Sequence, residues 1–349
     1  MPRTKPKAAL ILGAGWSFAA GLPLTKDLFK VNLSAASKTS EDRLRRVAEA
    51  YDTWATATKP ANGELFLEVV HREETLPWAW AVEYVSTVLA NPVRGDTSAN
   101  QNLRYSQRLT NPTYCSTHRA FLKEVLTKYE LSGVITTNYD ILAERALRHR
   151  TMSRPSTPGF HYGGLPRPQF AHGLAQPFSV SRPDRAVELT GTVPLYKLHG
   201  SLNWQRQDSE IELYQDLRLA FKSGGVAEIV PPVTEKSAPS WLLGVWKSAE
   251  TCLSGTDAWI VGGFSLPPYD LAIRSLFSRA AELGNVKTIS IFDPYAQGLS
   301  ERWRSMAPTA ELDLHQEGIP RCALAASLDR RPADASDPSG LGAPRLPGI

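Results

Sequence analysis

Short apolar runs, spaced along the chain and separated mostly by helical patterns, are the feature that most constrains the fold. They fall at residues 8–12, 133–137, 195–198, 228–230, 258–262 and 288–292, with a weaker one at 311–314. Strands that alternate with helices cannot pair through tight hairpins, so they predict a mainly parallel sheet with helices on both faces. The β-branched residues Ile260, Val261, Ile289 and Ile291 suit the double-sided burial of such a sheet. The expected fold class is therefore α/β, Rossmann-like, with a helical insertion after the first strand.

That insertion covers roughly residues 25–130. Trp78, Val82, Val85 and Leu89 repeat at helical spacing, as do Phe121, Leu122, Val125, Leu126 and Tyr129. Ser116 is the expected N-cap of the second helix, and Gly133 lies past its end. This is more chain than one crossover needs, so a helical subdomain is expected there. Residues 151–194, rich in Pro and Gly, read as an irregular loop excursion. The body of the protein is expected over 1–322, and the Pro-, Ala-, Ser- and Asp-rich segment 323–349 reads as a disordered tail.

With 39 basic against 35 acidic residues, the net charge of +4 is too mild to argue for nucleic acid. Cys115, Cys252 and Cys322 form neither a disulfide framework nor a zinc spacing, and no metal is expected. Arg3, Lys5 and Lys7 before an apolar stretch mimic a signal peptide, but the glycines inside that stretch favour a nucleotide turn. No run approaches the roughly 18 apolar residues of a membrane span. The expectation is a soluble, cytoplasmic protein.

Three segments carry polar chemistry directly after apolar runs, where open α/β sheets bind ligands. Leu12-Gly13-Ala14-Gly15-Trp16-Ser17 supplies glycines where a strand turns into a helix, so backbone amides at Gly13, Ala14 and Gly15 can approach a pyrophosphate. A side chain at Gly15 is expected to fill ligand space. Alone the pattern is weak, because the next glycine, Gly21, is too far on for the usual dinucleotide fingerprint. Thr136-Thr137-Asn138-Tyr139-Asp140 and Lys197-Leu198-His199-Gly200-Ser201 are the other two segments. Asn138 can hold a hydroxyl or a water without carrying charge, or can cap a helix beginning near Tyr139. Asp140 can accept from a carboxamide or stabilise a first helical turn. His199 suits a general base, since histidine ordinarily titrates near about 6.5, and the Gly-Ser after it suggests a turn open to ligand.

Ser17 with Gly21-Leu22-Pro23 resembles the opening motif of the sirtuin superfamily. Residues 136–140 are similar to that superfamily's second signature, and Lys197-Leu198-His199-Gly200 to its catalytic His-Gly. Gly263-Phe264-Ser265-Leu266 resembles its ribose- and phosphate-contacting segment, and Asp293 ends a run where the family contacts adenosine. The stretches from Lys197 to Trp204 and from Phe264 to Pro267 are closest to the sirtuin-like branch of bacterial antiphage defence. Two deacetylase features are absent: Leu24-Thr25 follows Pro23 in place of Phe-Arg, and there is no four-cysteine zinc module.

The resemblance implies an NAD hydrolase that releases nicotinamide and ADP-ribose, acting in antiphage defence. It implies Asn138 and His199 as catalytic residues, and Gly13, Ala14, Gly15, Ser17, Asp140, Gly263, Ser265 and Asp293 as NAD-binding residues. NAD enters as substrate. Transfer to an acceptor, by deacylation or ADP-ribosylation, is the alternative chemistry. A non-catalytic module that binds NAD or an ADP-ribose derivative is the alternative of another kind. The tail is too short for a sensor domain, so activation is expected to need a separate protein or self-assembly.

Overall fold

The computed structural model describes residues 4–20, 22–29, 38–59, 61–90, 112–147, 159–165, 169–170, 192–207, 210–214, 217, 220, 225–231 and 239–319. Gly21, most of the 151–194 excursion and the expected tail from 323 onward lie outside these residues.

The central sheet is built from β1 (Lys7–Leu12), β2 (Glu130–Thr136), β3 (Phe160–Tyr162), β5 (Val193–Lys197), β9 (Ala258–Gly262), β10 (Thr288–Phe292) and β11 (Glu311–His315). Its order is β11-β10-β9-β1-β2-β5-β3, and every pairing in it is parallel. Helices flank it, so the protein is an α/β, Rossmann-like fold, as the alternating runs predict. Ala8 to Leu12 on β1 are buried because the strand has neighbours on both edges and helices over both faces.

The chain leaves β1 toward β2 on one side and later returns to β9 on the other. The strand order thus reverses at β1, and open α/β sheets form their ligand crevice at such a switch point, outside the carboxyl ends of the strands. Register makes this edge level: Leu12 pairs with both Thr136 and Gly262, Thr136 with Lys197, and Gly262 with Phe292. Gly13, Asn138, His199, Gly263 and Asp293 therefore all emerge along one edge.

The helices are α1 (Ala14–Phe18), α2 (Lys38–Ala57), α3 (Gly63–Glu73), α4 (Trp78–Ala90), α5 (Pro112–Lys128), α6 (Leu142–Leu147), α7 (Leu243–Ser254), α8 (Leu271–Leu283) and α9 (Ala296–Met306). Helices α2 to α4 pack on one another, and Phe29, Tyr51, Phe66 and Tyr84 meet at 4.9–5.3 Å between ring centres, Phe29 stacked on Tyr51 and Tyr84 and Phe66 edge-on. Helix α5 instead packs on β2 and α6, so the insertion contributes one helix to the main sheet. Ser116 does not begin this helix, which starts four residues earlier at Pro112, where a missing N–H costs nothing.

A second sheet, β4-β7-β6-β8, combines β4 (Gln169–Phe170), β6 (Gly200–Gln207), β7 (Glu210–Leu213) and β8 (Ala227–Ile229). The run at 228–230 belongs here, antiparallel to β6, and not to the parallel sheet. Strand β6 is buried on both faces, Leu202 and Trp204 on one and the polar Ser201, Asn203 and Gln205 on the other. Ser201 donates to Asn203 at 2.6 Å, Asn203 to the Tyr214 carbonyl at 2.8 Å, and Gln205 to the Ala220 carbonyl at 2.7 Å. Within the excursion, β3 forms an edge of the main sheet. Among the described residues, no helix is long and apolar enough to cross a membrane.

Candidate functional site

A cleft of about 560 Å³ opens at the switch point, within the roughly 300–1,000 Å³ typical of small-molecule sites. Of the residues expected from the sequence, Ala14, Gly15, Ser17, Asn138, Asp140, Gly263, Ser265 and Asp293 line it. Gly13 and His199 do not.

The glycine turn has a packing origin. The Gly13 and Gly15 amides donate to the Gly262 and Gly263 carbonyls at 3.1 and 2.8 Å, so neither is directed at a ligand. A Cβ on Gly15 would lie 2.7 Å from the Gly263 Cα, and one on Gly13 2.7 Å from the Gly263 carbonyl oxygen. Gly263 itself adopts φ +59°, in the left-handed region where glycine is at ease. The turns after β1 and β9 are thus pressed together backbone to backbone. Gly15→Val should therefore damage the fold as well as the cleft. Overpacking of this kind costs about 1–3 kcal/mol, so a clearly lowered melting temperature is expected, and an unchanged one would refute the contact.

Asn138, Ser17 and Asp140 form a directed chain. Asn138 Nδ2 donates to the Gly13 carbonyl at 2.8 Å and to Ser17 Oγ at 2.9 Å, and Ser17 Oγ donates to Asp140 Oδ2 at 2.5 Å. Because a carbonyl only accepts, the Gly13 contact fixes which end of the amide is nitrogen. Both amide hydrogens are thereby committed, leaving Oδ1, an acceptor, as the atom Asn138 offers to a ligand. The cap of α6 belongs to Asp140, whose Oδ1 accepts from the Leu142 amide at 2.8 Å. Helix α6 begins at Leu142, not near Tyr139, and Ser17 is spent inside the chain, buried.

Lys197 anchors the same loop from below. Its ammonium is fully buried, donates to the Asp140 carbonyl, and pairs with Glu144 at 2.9 Å; Tyr162 donates to the same Glu144 oxygen at 3.0 Å.

His199 is buried next to the cleft wall, and the turn expected after it is the start of β6. Gly200 has φ +76°, and a Cβ there would meet the Glu228 carbonyl oxygen at 2.1 Å, so the glycine after His199 is a backbone requirement of joining β5 to β6. Trp246 Nε1 donates to the Leu198 carbonyl at 2.9 Å, holding the preceding residue. His199 Nε2 lies 3.3 Å from Asp270 Oδ2, while Asp270 Oδ1 caps α8 through the Ile273 amide at 3.0 Å. A carboxylate so fixed orients an imidazole.

Glu64, on the first turn of α3, lines the cleft beside this pair. It accepts from the Tyr269 hydroxyl at 2.6 Å and the Thr25 hydroxyl at 3.3 Å. Burial pushes its carboxyl above the usual range; the Tyr269 bond and the His199 charge pull against that, and the Asp270 charge reinforces it. Burial likewise raises Asp293, whose Oδ1 accepts from the Tyr295 amide at 2.8 Å. Ser265 is exposed at the rim, turned out by Leu266, a buried residue at φ +48°. Neither Glu64 nor Asp270 stands in a motif. Asn62-Gly63-Glu64 and Asp270 read locally as helix starts, and both are, since Asn62 caps α3 at 2.9 Å.

The fold and cleft define an α/β protein with its ligand crevice at the switch point of a parallel sheet. The chain matches no protein-family model and no curated protein.

Proposed function

We propose that the protein is a sirtuin-like NAD hydrolase, cleaving the nicotinamide–ribose bond to give nicotinamide and ADP-ribose. The observation that carries the reading is the Asn138 amide, which lines the cleft at the switch point with both hydrogens committed and keeps its oxygen as the acceptor it can offer. An acceptor there suits a ribose hydroxyl or a water, both of which donate. The adjacent His199–Asp270 pair supplies a base oriented by a carboxylate.

In this reading the C1′–N1 bond breaks and its electron pair returns to the ring nitrogen, so nicotinamide leaves neutral. The water oxygen bonds to C1′, and its proton passes to His199. Positive charge develops on the ribose carbon as in other glycosyl transfers, and Asp140 and Glu64 border the cleft where it does so. The pyrophosphate sits near the first turn of α1, and Asp293 and Ser265 meet the adenosine half. By its motifs the protein belongs to antiphage defence in a bacterial cytoplasm, with activation by a separate protein or by self-assembly.

The test is product analysis. Purified protein, alone and with candidate activating proteins, should convert NAD into nicotinamide and ADP-ribose in water. Transfer of the acyl group from an acyl-lysine peptide to ADP-ribose, with release of nicotinamide and free lysine, would replace hydrolysis by deacylation. Tight NAD binding with no turnover under every condition would make the protein a binding module.

A further inference from the structure

We propose that Glu64 is the specificity-determining carboxylate of the cleft: it meets the positive charge of an oxidised pyridinium ring and so selects a cationic nicotinamide nucleotide over the reduced form. The inference rests on the NAD reading above and assigns to it a residue from outside the motifs.

The geometry is that of a placed group. Glu64 reaches the cleft from α3, and its two oxygens are held separately, Oε2 by Tyr269 at 2.6 Å and Oε1 by Thr25 at 3.3 Å. Such a carboxylate loses little freedom when a ligand arrives, and each oxygen keeps acceptor capacity. Among the described residues, the cleft wall carries the carboxylates of Glu64, Asp140 and Asp293 and the ammonium of Lys26. Of these carboxylates, Asp140 is committed through both oxygens to Ser17 and the Leu142 amide, and Asp293, just after β10, accepts from the Tyr295 amide. A dinucleotide carries negative charge on its phosphates, so acidic lining is unfavourable unless the ligand also brings a cation. Oxidised nicotinamide brings that cation, whereas its reduced ring is neutral. An opposite charge a few ångströms from a carboxylate in a partly desolvated cleft is worth on the order of tenfold or more in affinity.

A second consequence concerns protons. The groups acting on Glu64 are Asp270, which raises its carboxyl, and His199, Tyr269 and Thr25, which lower it, beneath a larger rise from burial. An arriving pyridinium favours the charged form, so binding in mildly acidic buffer should release a proton from Glu64. The reduced ring should not do this.

Calorimetry of the full chain with NAD and with NADH tests the proposal. Wild type should prefer NAD by on the order of tenfold. Glu64→Gln, which keeps the size and can still accept from Tyr269, should bind both nucleotides about equally. In mildly acidic buffer, the NAD enthalpy of wild type should vary with the ionisation enthalpy of the buffer, and that of Glu64→Gln should not. Equal affinity of wild type for the two nucleotides, or a preference that survives in Glu64→Gln, overturns the role of Glu64 and leaves the NAD reading standing. Should the variant fail to fold, the wild-type comparison of the two nucleotides decides alone, and equal affinity overturns the proposal. Binding of neither nucleotide by wild type overturns the NAD reading itself.

Discussion

Lys197→Met is expected to lower the stability of the folded protein by about 3–5 kcal/mol, the cost of stripping one partner from a buried ion pair. The Lys197 and Glu144 side chains are both wholly inaccessible, 2.9 Å apart. Methionine fills the volume of the lysine stem but leaves the Glu144 charge with only the Tyr162 hydroxyl for company. It also frees the Asp140 carbonyl, the one backbone acceptor that ties the 138–140 loop to β5. Since domains are stable by only about 5–15 kcal/mol, denaturant titration should show a midpoint far below that of wild type. Replacing the pair together, Lys197→Met with Glu144→Met, should recover much of the loss, because the cost lies in the uncompensated charge more than in the absent bridge. A single variant as stable as wild type would mean that the pair does not anchor the loop.

Asn138→Ala and His199→Ala should each reduce nicotinamide release by at least about 10²-fold, the low end for a positioned acid–base group. Each factor of ten is about 1.4 kcal/mol of barrier. Stability is a separate readout. Asn138→Ala removes two hydrogen bonds, to Gly13 and Ser17, worth about 1 kcal/mol each, so its melting temperature should fall modestly while folded protein remains. His199→Ala leaves Asp270 facing a void but still capping α8. The combined variant should lose clearly less than the sum of the two free energies, as residues acting on one step do. Folded variants that turn over NAD at near wild-type rates would remove both residues from the chemistry. Strict additivity would place them on separate steps.

The parallel sheet was legible because its signal is local. A strand buried on both faces must be apolar along its length, and 258–262 and 288–292 are strands at those bounds. Polar residues directly after such runs point to the crevice without knowledge of the strand order, and eight of the ten expected site residues line one cleft. Strand β6 was less legible because one of its two buried faces is polar: Ser201, Asn203 and Gln205 are buried by hydrogen bonding, and only Leu202 and Trp204 between them carry an apolar signal.

What the chain by itself determined is the alternation of strands with helices, the strand ends that carry chemistry, and the glycines those ends need. Only the tertiary structure decided what the glycines are for, since Gly15 and Gly263 meet from positions far apart in the chain and a Cβ on either would strike the backbone of the other. It also decided that Ser17 serves Asn138 and Asp140, and that Asp270 and Glu64 stand beside His199. Glu64 and Tyr269 are 205 residues apart, and each looks locally like an ordinary residue near a helix start. Local propensity and hydrophobic period act over a few residues. A hydrogen bond between two hydrophilic side chains is specified only when packing brings their elements together, and no periodicity announces it.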